Sequence, residues 1–222
     1  MSKVHKVKVW DGFVRFYHWL QVLLLGGLWW SAEQAETEWH MALGLIFLCL
    51  LVTRIIWGLI GSSNARFSQF VSHPKQVFAE CKQELRGKPA EHLGHSALGG
   101  YMIIALMGGL LLQAISGLFI SDDVLAEGPL YQYISETMAN KIRSIHHANV
   151  ELLLILVAIH VLVILGFTLK KRRLISAMIS GYRLTTLNKQ ALTRSGWLGF
   201  VLYLALLALM FRQNPEYFEY LF

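Results

Sequence analysis

The sequence predicts an all-α integral membrane protein with five transmembrane helices. Three observations carry that prediction. Of the 222 residues, 55% are hydrophobic and only 15% charged, where a soluble domain carries about 25% charge. The apolar residues fall in long blocks, not in the short alternations of a half-buried sheet. The polar segments between those blocks alternate in charge sign, as the positive-inside rule asks of a multipass chain.

The first block is Phe16–Trp30, preceded by Lys3, Lys6, Lys8 and Arg15. Trp10 and Asp11 interrupt the approach to it and no small-residue cleavage site follows, so a retained span is expected, not a cleaved signal. An acidic connection with Glu33, Glu36 and Glu38 leads to the second block, His40–Ile60. The shortness of that connection predicts neighbouring antiparallel helices. Residues Gly61–Gly94 are polar, carry Arg66, Lys75, Lys82, Arg86 and Lys88, and are broken by Pro74, Gly87 and Pro89; a short helix around Gln76–Leu85 is expected there.

The third block, Ala97–Ile120, runs into Ser121–Arg143, which holds Asp122, Asp123, Glu127 and Glu136. The fourth, Ile145–Leu169, is followed by Lys170, Lys171, Arg172, Arg173, Arg183, Lys189 and Arg194. Within that basic stretch Ile175–Tyr182 reads as an amphipathic helix on the inner membrane surface. The fifth block is Trp197–Phe211. The first and fifth fall short of the ~20 residues a span needs unless their flanks extend them. Basic segments on the cytoplasmic side put the amino terminus inside and the carboxyl terminus outside. The net charge of +6 thus serves topology and contact with anionic lipid, and argues little for nucleic acid.

Nine histidines occur. His5, His73 and His92 fall in polar segments, where a solvated surface role is expected. His18, His40, His95, His146, His147 and His160 lie in spans or at their ends, where an ionisable side chain is costly and marks function. Following the chain through the membrane sorts them into two layers. His18, His95 and His160 belong to the inner layer; His40, His146 and His147 belong to the outer one. Neutral imidazole is a strong axial ligand for haem iron, and helix bundles hold cofactors between facing side chains. Two layers therefore predict two haems. Cys49 and Cys81 offer no Cys-x-x-Cys-His motif for covalent attachment, so the haems are of the b type.

Spacing separates His146 from His147. His146 and His160 are 14 residues apart, which leaves them roughly 40° apart around a helix and about 21 Å apart along it. His147 points roughly 140° away from His160. Ligands for stacked haems share a face, so His146 is chosen. His147 is expected to contact Glu151 one turn on, though Glu151 also suits an internal water site or proton transfer. Gly26, Gly27, Gly44, Gly108, Gly109 and Gly117 would let a macrocycle approach the backbone, or would serve ordinary small-residue helix packing. Arg15 and Arg54 sit at inner helix ends, placed to pair with haem propionates or to snorkel to headgroups.

Several segments together resemble the bacterial cytochrome b561 family, including the membrane cytochrome b subunits of nickel–iron hydrogenases. They are Val9–Leu20 (VWDGFVRFYHWL), Trp39–Gly44 (WHMALG), Ala65–Val71 (ARFSQFV), Leu93–Gly100 (LGHSALGG), His160 in AIHV, and Ala177–Arg183 (AMISGYR). The resemblance covers roughly residues 9–183 and implies a four-helix haem-binding bundle, which with its cytoplasmic loops is read as residues 1–195; the additional transmembrane helix and external tail, residues 196–222, lie beyond the shared core. It implies bis-histidine ligation by His18 with His160 and by His40 with His146. His95 matches a recurring family histidine near the inner haem or a quinone site; in the alternative it replaces His18 as a ligand.

The predicted function is electron transfer across a bacterial inner membrane, between a periplasmic redox partner and the quinone pool. Iron with both axial positions filled favours electron transfer over substrate chemistry. A c-type cytochrome docking at Ser121–Arg143 is preferred to a hydrogenase-like partner. The family also includes superoxide:quinone oxidoreductases. A cationic funnel would steer superoxide, and the mostly acidic external segments, with only Lys141, Arg143 and Arg212 as basic residues, argue against that enzyme reading. A transporter would favour broken helices with midplane polar groups, which two histidine layers do not provide.

Overall fold

The computed structural model describes residues 4–87, 92–122, 126–186 and 192–221. Lys3, Lys88, Pro89, Asp123 and Lys189, on which the loop reading draws, lie outside them. Eight helices are present among the described residues: α1 (Gly12–Glu33), α2 (Thr37–Ile60), α3 (Phe67–Phe70), α4 (Pro74–Leu85), α5 (Ala97–Gly117), α6 (Glu136–Leu169), α7 (Leu174–Ser180) and α8 (Trp197–Gln213). Three of them, α2, α5 and α6, are long and apolar enough to cross a membrane. Helix α1 has 22 residues but carries Arg15, His18 and Gln21, whereas α8 is apolar but has 17. Helix α6 begins nine residues before the predicted block, and its 34 residues rise about 51 Å, well beyond a ~30 Å hydrocarbon core.

The chain divides into two compact units. One comprises Met1–Phe16, Arg54–Ala105 and Val157–Phe200; the other comprises Tyr17–Thr53, Leu106–Leu156 and Val201–Phe222.

The first unit contains a feature absent from the sequence reading, a two-stranded antiparallel sheet. Strand β1 (His5–Lys8) pairs with β2 (Tyr182–Thr185), with His5 opposite Thr185 and Lys8 opposite Tyr182. The N–H groups of Val9 and Trp10 continue the contact to the Gly181 carbonyl, at 2.8 and 3.2 Å. Gly181 closes α7 at φ 85°, a left-handed conformation that suits glycine. Asp11 then starts α1. Its Oδ1 accepts from Val14 N–H at 2.8 Å, an N-cap contact, and its Oδ2 accepts from Trp57 Nε1–H at 3.1 Å. Phe13, wholly buried, meets the edges of Trp57 and Phe200 at 5.7 Å each.

Helix α4 realises the short helix predicted around Gln76–Leu85, and its acidic side is tied on three sides. Glu84 accepts from Arg172 through both carboxylate oxygens at 2.8 Å and from Lys170 at 3.3 Å. Glu80 caps the start of α5 by accepting from Ala97 N–H at 2.8 Å and pairs with His92 at 3.4 Å. His92 thus contacts the Glu80 carboxylate and is not merely solvated. His73 likewise has a local task, its Nδ1 accepting from Lys75 N–H at 3.3 Å.

In the second unit Ala42, Leu45 and Phe218 form a buried cluster, with Phe218 stacked on Phe211 at 3.8 Å. The segment before α6 is folded back on itself. Ser121 bridges Glu127, Gly128 N–H donates to Ile120 O at 2.8 Å, and Arg143 donates to Ser121 O. Tyr217 adds a hydroxyl bond to Glu127 O at 2.8 Å.

Candidate functional site

His40 lies in the first turn of α2, its N–H bonded to Glu36 O at 2.9 Å. The imidazole Nδ1 is 2.9 Å from the Leu28 carbonyl and 3.2 Å from Ser31 Oγ. A carbonyl only accepts, so this nitrogen carries the proton and the lone pair resides on Nε2. Ser31 is fully buried, and its own hydroxyl donates to Leu28 O at 3.1 Å.

His146 is fixed on α6 in the same manner. Its Nδ1 is 2.8 Å from Ser116 Oγ, and the Ser116 hydroxyl donates to Gln113 O at 3.0 Å. With its proton engaged there, the Ser116 oxygen accepts from His146, which again leaves Nε2 as the free donor atom. The face that α6 turns toward α5 is set nearby. Asn149 is buried and donates to Gly109 O at 2.9 Å and to Gln113 Oε1 at 2.6 Å. A Cβ on Gly109 would meet Leu153 Cδ2 at 2.8 Å, so glycine is what permits this approach. Gly109 is therefore a helix-packing residue.

The rings of His40 and His146 have centroids 6.5 Å apart at 73°. Two imidazoles on opposite sides of one metal ion, each bonded at about 2 Å, place their centroids roughly 6 to 6.5 Å apart. Among the described residues no group of three or more His, Cys, Asp or Glu could hold a metal ion. A two-imidazole set suits a metal that brings its remaining ligands with it, as haem iron does. Gly117 lies alongside, its Cβ position 3.3 Å from His146 Cε1. The donor set fits haem.

The other predicted residues are distributed as follows. His147 is exposed, its ring 6.2 Å from that of His146; among the described residues no hydrogen bond or ion pair joins it to Glu151. His18 is half-buried on α1, its ring edge-on to Trp19 at 5.1 Å. His160 is half-buried on α6. His95 lies between Trp10 at 4.7 Å and Phe70 at 4.9 Å, with a buried Nδ1 that has no hydrogen-bond partner among the described residues. Arg54 is buried, with its guanidinium 5.4 Å over the Phe67 ring. Arg15 donates to the carbonyls of Ile179 at 2.7 Å and Asp11 at 3.4 Å, holding α7 to the start of α1.

Sequence reasoning missed Ser31, Ser116, Gln113 and Asn149. Part of the signal was present, since Ser116, Gln113 and Asn149 are polar residues inside apolar blocks and Ser31 directly follows one.

Apolar helices of spanning length and a half-buried pair of facing imidazoles define the class, an integral membrane haem protein. The family described as prokaryotic cytochrome b561 matches residues 9–181. The chain belongs to that family, and so to the b-haem proteins of membrane electron transfer. It is 26% identical over 160 residues to a Rhizobium leguminosarum bv. viciae protein named as a probable Ni/Fe-hydrogenase B-type cytochrome subunit, a match covering 65% of this chain and 67% of that one. No solved structure matches.

Proposed function

We propose that this chain conducts electrons across the membrane through two bis-histidine b haems, with His40 and His146 binding one and His18 and His160 the other. The observation that carries the reading is the 6.5 Å separation of the His40 and His146 rings, each with its Nδ1 engaged by an oxygen. Haem, when bound, supplies a one-electron iron couple. His160 is 14 residues beyond His146 on the same continuous helix, which supports a second level about 21 Å away.

The residues around the imidazoles do the rest. Leu28 O, Ser31 and Ser116 hold the rings in the tautomer that ligates. With His40 and His146, and His18 and His160, each holding an iron, exogenous ligands would be kept off it. Arg15 and the buried Arg54 are the candidates to pair with haem propionates. His95 is assigned to the surroundings of the haem held by His18 and His160, or to a quinone headgroup.

The arrangement follows the charge pattern. The bundle is four helices, α1, α2, α5 and α6, with α8 added, the amino terminus cytoplasmic and the carboxyl terminus periplasmic. Electrons pass between a periplasmic c-type cytochrome and quinone. A second reading, the membrane subunit of a hydrogenase-type complex, draws on the name of the Rhizobium relative. The test is a reduced-minus-oxidised spectrum with a haem-to-protein ratio on purified chain. Two low-spin b haems per chain are expected, and a colourless protein or a single haem refutes the reading.

A further inference from the structure

The Nδ1 side of the two imidazoles is a part of the site that haem ligation alone does not explain. His40 directs Nδ1–H at a backbone carbonyl, 2.9 Å to Leu28 O, with Ser31 Oγ at 3.2 Å as a second acceptor. His146 directs its proton at Ser116 Oγ alone among side chains, at 2.8 Å. Ser116 is itself buried and oriented by its bond to Gln113 O. The Gln113 side chain is in turn held by Asn149 at 2.6 Å. A chain of four residues on α5 and α6 thus ends on the atom opposite the ligating nitrogen.

We infer that Ser116 is a positioning residue that sets the reduction potential of the iron held by His40 and His146, acting through His146. The inference rests on the ligation proposed above. An acceptor on Nδ1–H makes the imidazole more basic and fixes its ring orientation. A more basic ligand stabilises the ferric state over the ferrous state, so the bond lowers the potential of a one-electron couple. Ser116→Ala removes the nearer acceptor, at 2.8 Å, and leaves only the Gln113 carbonyl facing the ring, so it should raise the potential. Ser31→Ala should have the smaller effect, because at His40 the carbonyl of Leu28 is the nearer acceptor and the serine the farther one. Ser116→Thr retains a hydroxyl that bonds the preceding turn in a helix and should keep the original value.

The experiment is a potentiometric titration of purified chain, one electron per iron delivered from dithionite through mediators, with haem content measured on every variant. For Ser116→Ala one haem should shift threefold to tenfold toward the reduced form at fixed potential, about 28 to 59 mV at 59 mV per tenfold. The other haem should stay where it was, and Ser116→Thr should titrate like the parent. Both haems retained with unmoved potentials in Ser116→Ala overturns the inference. If Ser116→Ala loses a haem, Ser116→Thr decides: retention at the parent potential supports the hydroxyl, and loss there too overturns it. A parent protein lacking two haems refutes the ligation itself, which separates that failure from this one.

Discussion

In the unit that contains His40, each imidazole of the close pair has its Nδ1 met by oxygen. In the unit that contains His95, the ring is held between Trp10 and Phe70, and its buried Nδ1 meets no partner among the described residues. Both rings are fixed in place, but by different forces. Aromatic packing restrains where a ring lies and says nothing about its protons. A carbonyl on Nδ1 restrains position and tautomer together, so Nε2 is ready to bind a metal. The unit of His40 carries a donor pair whose tautomers are set by protein oxygens. The unit of His95 carries a buried nitrogen of the kind that a bound group satisfies.

The sharpest way to break this contrast is to count haems in single variants by pyridine haemochromogen assay. His40→Ala and His146→Ala should each reduce two haems per chain to one, while His147→Ala should keep both. In the same assay His18→Ala should lose one haem and His95→Ala none. Loss on His147→Ala with retention on His146→Ala would reverse the assignment of the α6 face.

Packing variants should give intermediate effects. A Cβ on Gly58 would overlap the Phe67 ring, so Gly58→Ala should cost roughly 1–3 kcal/mol. Asn149→Ala removes two hydrogen bonds between α5 and α6 and should cost about 0.6–1.7 kcal/mol. Thermal denaturation in detergent measures both. If the polar network is what orients His146, Asn149→Ala should also perturb the spectrum of one haem, whereas Gly58→Ala should leave that spectrum unchanged.

The smallest effect concerns the ion pair on α4. The Arg172 guanidinium hydrogen-bonded to Glu84, with Lys170 beside it, holds the carboxyl below its ordinary value of 4.5. A depressed folded-state value means that the stabilisation is whole above about pH 4.5 and disappears as pH falls through the folded value. Glu84 keeps 29% of its side-chain surface exposed, so the contribution should stay below about 1 kcal/mol. Glu84→Gln should lower pH 7 stability by no more than that amount, leave stability below the folded value unchanged, and so flatten the acid limb of a stability–pH curve.

Much of the helical framework was legible because apolar length is a strong signal. The second block, His40–Ile60, differs from α2 only by the three residues that begin the helix at Thr37. Boundaries set by polar caps were harder. Asp11 reads in the sequence as an interruption, yet it is the cap that lets α1 start at Gly12. Residues Glu136–Ser144 are too polar for an apolar window, yet they continue α6. The sheet was invisible for a different reason, since four residues of alternating pattern specify a strand only when a partner is known. Among the site residues, the close approach of His40 and His146 follows the layer argument. Ser31 and Ser116 did not surface because serine in an apolar helix has an equally common local role, bonding its own preceding turn. Both serines do that here as well, and the second contact needs coordinates to see.

The pairing of β1 with β2 has a consequence for biogenesis. Residue 5 finds its partner at residue 185, so during synthesis the leading strand has nothing to pair with until α7 has left the ribosome. Closing so long a loop is slow compared with forming a helix. The clasp is therefore a late event in assembly, and chains released before Tyr182 should insert their early helices yet remain open to protease at Val9 and Trp10.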